Sequence, residues 1–295
     1  MLAAFVKVAE RLSVSAAAAE LGVVKSVVSK RIAQLEAAVK ATLFSRSTRK
    51  VALTPAGETY LDFARRALVE VATAEERLRD LRAELTGQIR LSASVSWGQR
   101  VLAKRLPEFL RLHPAIEIEL LLADRLMDIA YERIDIALRW TSAPAPDLMA
   151  VPVASVAWVV TATPGYLAGA GLPQAPQDLA MHACMSYWRE SSDDTWVLGA
   201  PGRRELVRVR GRYHANNPEA VADAALAGLG IALLPHYLCD DALADGRLVR
   251  VLPGWTPETK FGTRITAVAT PERMRFSRNQ ALVAFLREQL GPDQD

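Results

Sequence analysis

The chain has 295 residues, of which 51% are hydrophobic, and a net charge of +3 at pH 7. This length exceeds what one ordinary core requires, so we expect two or three domains. No apolar run reaches the roughly 18 residues that a membrane-spanning helix needs, so we expect no such helix.

Targeting and redox signals favour a cytoplasmic protein. The opening stretch MLAAFVKVAERL contains Lys7 and lacks a cleavage-site pattern, so we do not read it as a secretory signal. Cys184 and Cys239 lie far apart and form no CxxC spacing. We therefore expect reduced thiols rather than a disulfide framework or a zinc site.

Positive charge is concentrated at the amino-terminal end. Residues 1–60 carry nine Lys and Arg against four Glu, a net charge of +5, so the remaining residues sum to −2. A basic head on a nearly neutral body indicates that the head meets a polyanion. A solvated charged surface is the alternative that charge alone leaves open.

Three helices are predicted within this head, and a short turn joins the last two. The first helix of the chain has apolar residues at helical spacing, namely Leu2, Phe5, Val6, Ala9 and Leu12. Ser15 is expected to cap the next helix, and Gly22 is expected to end it in left-handed geometry. A further helix follows with the apolar stripe Val28, Ile32, Leu35 and Val39. This order predicts a helix-turn-helix.

The other side of that further helix is small, polar and basic. It suits entry into a DNA major groove, because small residues allow close approach while Lys and Ser donate to bases or phosphates. The helix amino terminus adds its own attraction for phosphate. The residues expected to contact DNA are Lys25, Ser26, Ser29, Lys30, Arg31 and Gln34. A basic helix that faces only solvent is the alternative.

A short hairpin is predicted next. In TLFSRSTRKVALTPAG, apolar Leu43, Phe44, Val51 and Leu53 flank a cationic tip. Such a wing can lie along a phosphate backbone, so we add Arg46, Arg49, Lys50 and the adjoining Thr54 to the expected DNA contacts. Thr54 and Pro55 also carry the signals of a helix start, as cap and first helical residue.

A long helix with an apolar seam is predicted from Pro55 to about Thr86, ending at Gly87. The seam steps by three and four through Ala64, Ala67, Val71, Ala74, Leu78, Leu81 and Leu85. One helix cannot bury such a seam alone, so we expect a second copy of the chain against it. Cover by the chain's own body is the alternative.

Alternating strands and helices follow Gly87 and predict a two-lobed α/β body. QIRLSASV, IEIELLL and DIALRW are expected strands, separated by helices at LAKRLPEFLRLHP and DRLMDIAYERI, which implies a parallel sheet. A second unit has strands at VAWVVTAT, RELVRVRGRYHA and IALLP, with a loop-rich middle through DTWVLGA. Helices at NPEAVADAALAGLG, HYLCDDALADG and NQALVAFLREQLG and a strand at RITAVAT complete it.

Three places in the body could hold a small ligand. Each follows a strand or opens a helix, where α/β units bind ligands. The candidates are Ser94, Ser96 and Trp97 in SVSWG, Trp140 and Thr141 in RWTSAP, and Asn216 and Asn217 in HANNPEAV, with Trp188 as an added aromatic. Ser96 and Asn217 are equally well explained as helix caps, and Trp188 as a core or surface aromatic.

The sequence resembles the LysR-type transcriptional regulators over nearly its whole length. FVKVAERLSVSAAAAELGVVKSVVSKRIAQLEAAVKATLFSRSTRKVALTPAGETYL is similar to the family's winged helix-turn-helix. ALAGLGIALLPHYLCDDALADGRLVRVLPGW is similar to its effector-binding second lobe. Val24 and Lys25 depart from the family's usual polar residue and Gln, so operator preferences are not carried over.

The resemblance implies an architecture and a function. It implies a winged helix-turn-helix at 1–58, a linker and dimerisation helix at 59–87 and a periplasmic-binding-protein-like (type 2) α/β effector domain at 88–295. Lobe I would span about 88–161 and 266–295, and lobe II about 162–265. A small molecule between the lobes, touching Ser96, would change how paired heads bend DNA.

Partners and rival functions complete the expectations. We expect promoter or operator double-stranded DNA, a second copy of the chain in a dimer and then a tetramer, and RNA polymerase as partners, with no membrane and no cofactor. One rival is a small-molecule binding protein without DNA. The other is an enzyme on a doubly wound α/β fold, although the four His form no HExxH and no GxSxG occurs.

Overall fold

A computed structural model describes residues 1–47, 50–80, 85–125, 129, 132–140, 145–187 and 194–291. Side chains are described for these residues except 46, 47, 50, 73, 75–80 and 186. The chain divides into two compact units, Met1–Glu84 and Leu85–Asp295. Among the described helices, none is long and apolar enough to cross a membrane.

The first unit contains four helices and one hairpin among its described residues. The elements are α1 Leu2–Arg11, α2 Val14–Glu20, α3 Lys25–Val39, β1 Phe44–Ser47, β2 Lys50–Leu53 and α4 Pro55–Asp80. Strands β1 and β2 pair antiparallel, with Phe44 opposite Leu53. The order and type of these elements confirm the expected winged helix-turn-helix.

A shared apolar core holds the helices of this unit together. Val28, Ile32 and Leu35, the inward stripe of α3, are each at most 5% exposed and belong to the same cluster as Phe5 and Leu43. Burial of each such side chain contributes about 1.5–3 kcal/mol, so the core fixes which side of α3 faces outward.

The helix boundaries near the turn differ by two residues from expectation. Ser13, not Ser15, caps α2, because its Oγ accepts a hydrogen bond from the Ala16 amide at 3.3 Å. Gly22 takes a φ of +64°, as expected, and the turn that it makes leads directly into α3. A residue with a Cβ would be strained at this angle.

The long helix α4 ends its described part at Asp80. The expected seam residues Leu78 and Leu81 fall outside the described side chains. Leu85 is not helical and packs partly buried against the core of the second unit, so its assignment to the seam was wrong. Gly87 opens a strand instead of ending the helix, and its amide donates to the Ala115 carbonyl at 3.0 Å.

The second unit contains thirteen strands among its described residues. They are β3 Gly87–Ala93, β4 Ile116–Leu122, β5 Ile136–Trp140, β6 Met149–Ser155, β7 Trp158–Ala162, β8 Cys184–Tyr187, β9 Thr195–Ala200, β10 Arg203–Arg208, β11 His214–Ala215, β12 Ile231–Pro235, β13 Val249–Arg250, β14 Thr256–Glu258 and β15 Arg264–Ala269.

Helices cover these strands. They are α5 Val95–Trp97, α6 Ala103–Leu112, α7 Pro164–Ala170, α8 Pro218–Leu226, α9 Asp240–Ala244, α10 Pro271–Met274 and α11 Ser277–Leu290. A π-helical turn, Gly98–Leu102, joins α5 to α6, and 3₁₀ turns occupy Pro176–Met181 and His236–Leu238. Of the helix expected at DRLMDIAYERI, five residues (126–128, 130 and 131) lie outside the described ranges, and none of the six described residues is helical.

Two five-stranded sheets define two lobes. The first-lobe sheet has the order β4-β3-β5-β15-β6, and the second-lobe sheet has the order β11-β8-β12-β7-β13. Strands β3, β4 and β5 are parallel, as expected, but β15 and β6 run antiparallel to their neighbours. The second-lobe sheet is also mixed, since β12 pairs parallel with β8 and antiparallel with β7.

A third sheet includes β9, which lies in the part of the chain that we expected to be rich in loops, and β10, which lies in the expected strand RELVRVRGRYHA. Strands β10, β9 and β14 form an antiparallel three-stranded sheet in the second lobe. Trp196 and Leu198 on β9 are buried, whereas Thr195 is exposed and Val197 is half-buried. This alternation is a strand signal that the sequence interpretation missed.

The chain crosses between the lobes twice. The first crossing joins β6 to β7 and the second joins β14 to β15. The Val156 amide donates to the Thr263 carbonyl at 2.7 Å, so the two crossings lie side by side. Because β7 pairs within the second-lobe sheet and all of β15 pairs within the first, the expected lobe boundaries at about 161 and 266 are displaced to 156–157 and 263.

Candidate nucleic-acid interface and effector site

The outward side of α3 is exposed over its whole length. Its six expected DNA-contacting residues are all solvent-exposed, and within the described part of the chain their side chains form no hydrogen bond or ion pair. They are Lys25, Ser26, Ser29, Lys30, Arg31 and Gln34. This side of the helix therefore offers donors and positive charge with no described partner inside its own unit.

The amino terminus of α3 has no side-chain cap among the described residues. Val24 occupies the cap position, is 66% exposed and has no side-chain oxygen to accept from the first-turn amides. Those amides and the helix dipole attract an anion such as a phosphate oxygen. The exposed surface and the uncapped terminus lie on the same helix.

Two other basic residues of the first unit, Lys7 and Arg11, are paired with acids. Lys7 pairs with Glu10 at 3.1 Å and with Glu20 at 2.9 Å, and Arg11 pairs with Glu20 at 2.8 Å. The hydrogen bonds from Arg11 and then Lys7 lower the pKa of Glu20 to about 2. The positive surplus of the head therefore lies on α3 and along the sequence of the hairpin.

The hairpin is attached firmly to the end of α3. Glu36 Oε1 accepts from the Leu43 amide at 2.8 Å and from the Phe44 amide at 3.1 Å. Arg46 and Lys50 lie on the paired strands β1 and β2, although their side chains are outside the described set. Arg49 lies wholly outside the described residues, so its expected role stays a prediction.

Thr54 has a structural role. Its hydroxyl donates to the Thr42 carbonyl at 2.7 Å and accepts from the Gly57 amide at 3.0 Å. These two hydrogen bonds link the residues just before β1 to the first turn of α4. We therefore assign Thr54 to helix capping, as its position before Pro55 indicates, and remove it from the DNA contacts.

In the second unit, Ser94 and Ser96 lie where the chain leaves β3. Ser94 is the cap residue of α5 but makes no side-chain cap bond within the described part of the chain. Asp124 takes that role from the end of the neighbouring strand β4, accepting from the Val95 amide at 3.0 Å. Ser96 is 3% exposed and lies inside α5 rather than at its cap, which leaves its hydroxyl for another partner.

That partner comes from the other lobe. The Tyr237 hydroxyl donates to Ser96 Oγ at 3.2 Å, and Tyr237 follows β12 of the second lobe. Burial raises the pKa of the Tyr237 phenol, so it stays a neutral donor at physiological pH. The sequence interpretation did not identify Tyr237, which is 141 residues from Ser96 in the chain.

A second contact between the lobes lies beside the first. Arg100, in the π-helical turn after α5, pairs with Glu219, in the first turn of α8, through Nη2 to Oε2 at 2.9 Å. The hydrogen bond to Glu219 raises the pKa of Arg100. Two polar contacts therefore join the helix that starts at the Ser96 elbow to the second lobe.

Two of the expected tryptophans have different environments. Trp97 is 1% exposed and packs in the first-lobe core with Leu102 and Phe109, and its expected role in ligand contact stays a prediction. Trp140 packs between the cores of both lobes, with its ring centroid 5.3 Å from that of Trp158. Trp140 is therefore at the junction of the lobes.

The two expected asparagines, Asn216 and Asn217, also have different environments. Asn217 caps α8, since its Oδ1 accepts from the amides of Glu219 at 2.8 Å and Ala220 at 3.3 Å. Asn216 is exposed just before that helix. Thr141 and Trp188 lie outside the described residues, so their expected contacts with an effector stay predictions.

The described residues show no metal-binding chemistry. Within them, no group of three or more His, Cys, Asp or Glu side chains converges. Cys184 and Cys239 are free, buried thiols, and burial raises the pKa of each to about 12.

Family comparisons agree with the two-unit architecture. The model for the bacterial regulatory helix-turn-helix protein of the lysR family matches residues 1–58, and the model for the LysR substrate binding domain matches residues 82–291. This chain belongs to the LysR family. It is a LysR-type transcriptional regulator with an effector-binding domain, and such proteins are DNA-binding regulators rather than enzymes.

Curated relatives of this LysR-family protein are regulators too. The transcriptional regulator PtxR of Pseudomonas aeruginosa is 37% identical over 98% of this chain and 92% of its own. The probable transcriptional regulator LtrA of Klebsiella pneumoniae is 32% identical over 97% of this chain and 93% of its own.

Solved full-length regulators share the fold. CrgA of Neisseria meningitidis, a LysR-type transcriptional regulator, aligns with a TM-score of 0.63 at 30% identity over 98% of each chain. The virulence activator AphB of Vibrio cholerae aligns with a TM-score of 0.64 at 25% identity over 97% of each chain. The fold class expected from the sequence is thereby confirmed.

Proposed function

We propose that this regulator reads its operator with the outward side of α3 and changes its DNA binding when a small molecule enters between the two lobes of its second unit. The exposed set Lys25, Ser26, Ser29, Lys30, Arg31 and Gln34, without partners among the described residues, is the observation that carries the DNA part. A helix of this length and composition fits a major groove.

Salt dependence of DNA binding tests this proposal. Each phosphate that the protein neutralises releases counterions, so six or more contacts would lower affinity roughly 10³-fold between 50 and 200 mM salt. The measurement is fluorescence anisotropy with a duplex taken from genomic fragments that the protein binds. Affinity that is the same at both salt concentrations would contradict the proposal.

The effector part rests on the hydroxyl pair Ser96 and Tyr237. Both are buried or partly buried, and they come from different lobes. A ligand with an acceptor oxygen, such as a carboxylate, can receive hydrogen bonds from both hydroxyls in place of the bond between them. Such a ligand would then set the distance between the lobes.

The genes beside the bound genomic fragments indicate a pathway, and the small molecules of that pathway are the candidate effectors for the test. We expect the Ser96→Ala variant to bind the active compound roughly 10- to 150-fold more weakly, since one hydrogen bond to a charged acceptor contributes about 1.5–3 kcal/mol. The measurement is calorimetric titration of the full chain. Equal affinity in the variant would exclude Ser96 from the effector site.

We further propose a dimer that packs through α4 and a tetramer built from two such dimers. Along the expected seam Ala67, Val71 and Ala74 are exposed, with Val71 at 57%, and Phe63 beside them is 59% exposed. An apolar stripe on a 26-residue helix needs cover from a partner, and a second identical helix provides it.

The division into 1–58, 59–87 and 88–295, with lobes that meet at the two crossings, completes the proposal. The matched ranges 1–58 and 82–291 support it. The same proposal includes a periplasmic-binding-protein-like fold for the lobes. It also includes contact with RNA polymerase at the promoter and a cytoplasmic location. Footprinting of the promoter with and without polymerase tests the polymerase contact.

A further inference from the structure

Positive charge is concentrated in one short segment of the second lobe. Residues 203–214 contain five Arg and one Glu. The segment begins as β10 and ends at the first residue of β11, and each of these strands lies at the edge of its sheet. A local surplus of this kind attracts an anionic partner.

Most of the basic side chains lie on one side of the segment. Val207 and Val209 are 4% and 3% exposed, whereas the alternate residues from 204 to 212 are all exposed. This alternation is that of an extended chain, in which alternate residues point to the same side and are about 6.6 Å apart. We define the basic row as the four arginines of this exposed side, Arg204, Arg208, Arg210 and Arg212.

Main-chain contacts hold the basic row in place. The Val209 amide donates to the Asp194 carbonyl at 2.7 Å, and the Cys184 amide donates to the Arg210 carbonyl at 2.8 Å. A Cβ at Gly211 would overlap the Cys184 carbonyl oxygen, so glycine allows the segment to lie directly against β8. The backbone of the row is therefore fixed before a partner binds, which lowers the entropic cost of binding.

Two members of the basic row are paired with acids. Arg204 Nε lies 2.9 Å from Glu258 Oε2, and Arg208 Nε lies 2.8 Å from Asp194 Oδ2. Both arginine side chains are nevertheless exposed, at 62% and 73%. Because a guanidinium group has five N–H donors, each keeps donors for a further acceptor.

The other two members, Arg210 and Arg212, have no acidic partner. Within the part of the chain that the structure describes, neither side chain makes a hydrogen bond or an ion pair. Arg203 and Glu205 lie on the other side of β10 and carry opposite charges, and Glu205 accepts from Gln177 Nε2 at 2.7 Å. The basic row therefore keeps the two positive charges of Arg210 and Arg212 after its ion pairs are counted.

The composition of the exposed side favours a phosphate backbone over a protein as the partner. A guanidinium group can donate two parallel hydrogen bonds to a phosphate, and DNA presents one charge about every 3.4 Å along each strand. A protein interface instead needs buried anchors, which are often aromatic. Between Arg204 and Arg212 the exposed side has one apolar side chain, Leu206, and no aromatic one.

We propose that the basic row is a second DNA-contacting surface, which binds the phosphate backbone of duplex DNA outside the segment read by α3. The row contacts no bases, so it adds affinity without sequence preference. A second lobe that moves when an effector binds then acts on the DNA by direct contact. The proposal rests on DNA binding by the protein, but not on which residues of α3 contribute to it.

Salt dependence of binding to two duplexes tests the proposal. The short duplex is the smallest genomic fragment that the full-length protein still binds specifically, and the long duplex extends it by two helical turns, about 20 base pairs, on each side. For the long duplex, we expect Arg210→Ala/Arg212→Ala to reduce the slope of log affinity against log salt by about 1.8, because each lost phosphate contact removes about 0.9. Affinity then falls roughly twelvefold less between 50 and 200 mM salt than in the wild-type protein. For the short duplex we expect no change.

Arg247→Ala/Arg250→Ala is the matched control. It removes two exposed arginines from the same lobe, and Arg250 lies on β13, at the opposite edge of the second-lobe sheet from β11. We expect wild-type slopes with both duplexes and an unchanged far-UV circular dichroism spectrum for both double variants. An equal reduction of the slope in this control would show an effect of net charge alone and overturns the proposal.

Hydroxyl-radical footprinting of the long duplex locates the contact. We expect Arg210→Ala/Arg212→Ala to lose backbone protection outside the sequence of the short duplex. Loss confined to that sequence overturns the proposal, and so does a variant with unchanged footprint and slope, which would point to an acidic protein as the partner of the row. Lys30→Ala is measured on the short duplex, so a failure of the α3 proposal is seen separately.

Discussion

At the scale of single residues, the proposed DNA-contacting surface depends on side chains that the described part of the protein leaves without internal partners. Lys7 and Arg11 carry the same charge as Lys30 and Arg31, but they are held by Glu10 and Glu20. Lys30 has no such acid nearby among the described residues. Position within the unit, rather than residue type, therefore distinguishes a DNA contact from a local ion pair.

Lys30→Ala distinguishes a base contact from a phosphate contact. If Lys30 donates to a base edge, we expect operator affinity to fall by about 1–3 kcal/mol, with non-specific DNA nearly unaffected. The measurement is anisotropy with operator and scrambled duplexes, and Lys104→Ala is the control. An equal loss for both duplexes would show that Lys30 contacts only phosphate.

The cysteines give a prediction that depends on pH. Burial raises the pKa of Cys184 and Cys239 to about 12, so at pH 8 only about 10⁻⁴ of each thiol is the reactive thiolate. We expect iodoacetamide to modify neither in the folded protein and both in urea, measured by mass spectrometry. Rapid labelling of the native chain at pH 8 would contradict this burial.

At the scale of elements, the sequence predicts the first unit better than the second. The helical period of 3.6 residues per turn places the apolar residues of α3 on one side and the polar residues on the other. Burial of Val28, Ile32 and Leu35 therefore implies that the residues between them are exposed. The burial of Trp97 could not be predicted in this way, because an elbow between a strand and a helix has no such period. Local sequence patterns also carry no information on contacts such as Tyr237 with Ser96, which depend on the whole topology.

The exposed seam of α4 gives a prediction at this scale. We expect Val71→Glu to shift the protein from dimer to monomer at micromolar concentration, because two buried carboxylates would face each other across the seam. The measurement is sedimentation velocity. Glu is a better helix former than Val, so the helix itself stays intact.

Ala72→Glu is the matched control for that experiment. Ala72 is exposed on the same turn of α4 but is not part of the seam, so we expect this variant to stay dimeric. If both variants dissociate, added charge alone explains the effect. If neither dissociates, the seam is covered by another part of the protein and the dimer forms elsewhere.

At the scale of the whole molecule, the second unit has two lobes that are joined by covalent crossings and, among the described residues, by a small number of polar contacts. A hydrogen bond between Val156 and Thr263 joins the two crossings. Tyr237 of the second lobe contacts Ser96 of the first lobe, and Arg100 of the first lobe contacts Glu219 of the second. Separation of the lobes breaks these side-chain contacts and the packing of Trp140 on Trp158, but it leaves the two covalent crossings in place. This suits the proposed response to a small molecule between the lobes.

A double-mutant cycle measures how strongly the lobes are coupled. We expect Tyr237→Phe and Ser96→Ala each to lower the unfolding free energy by about 0.5–1.5 kcal/mol, and the double variant to lose less than the sum. Urea unfolding of the full chain gives these values. Strictly additive losses would indicate that the two hydroxyls do not interact in solution.

Val24 leaves the first turn of α3 without an acceptor from the cap side chain in the free protein, and this has an energetic consequence at the operator. In the proposed complex, a phosphate oxygen supplies the acceptor that this turn lacks. We therefore expect DNA docking to stabilise the first turn of α3, and this gain to depend on where the DNA backbone places that oxygen.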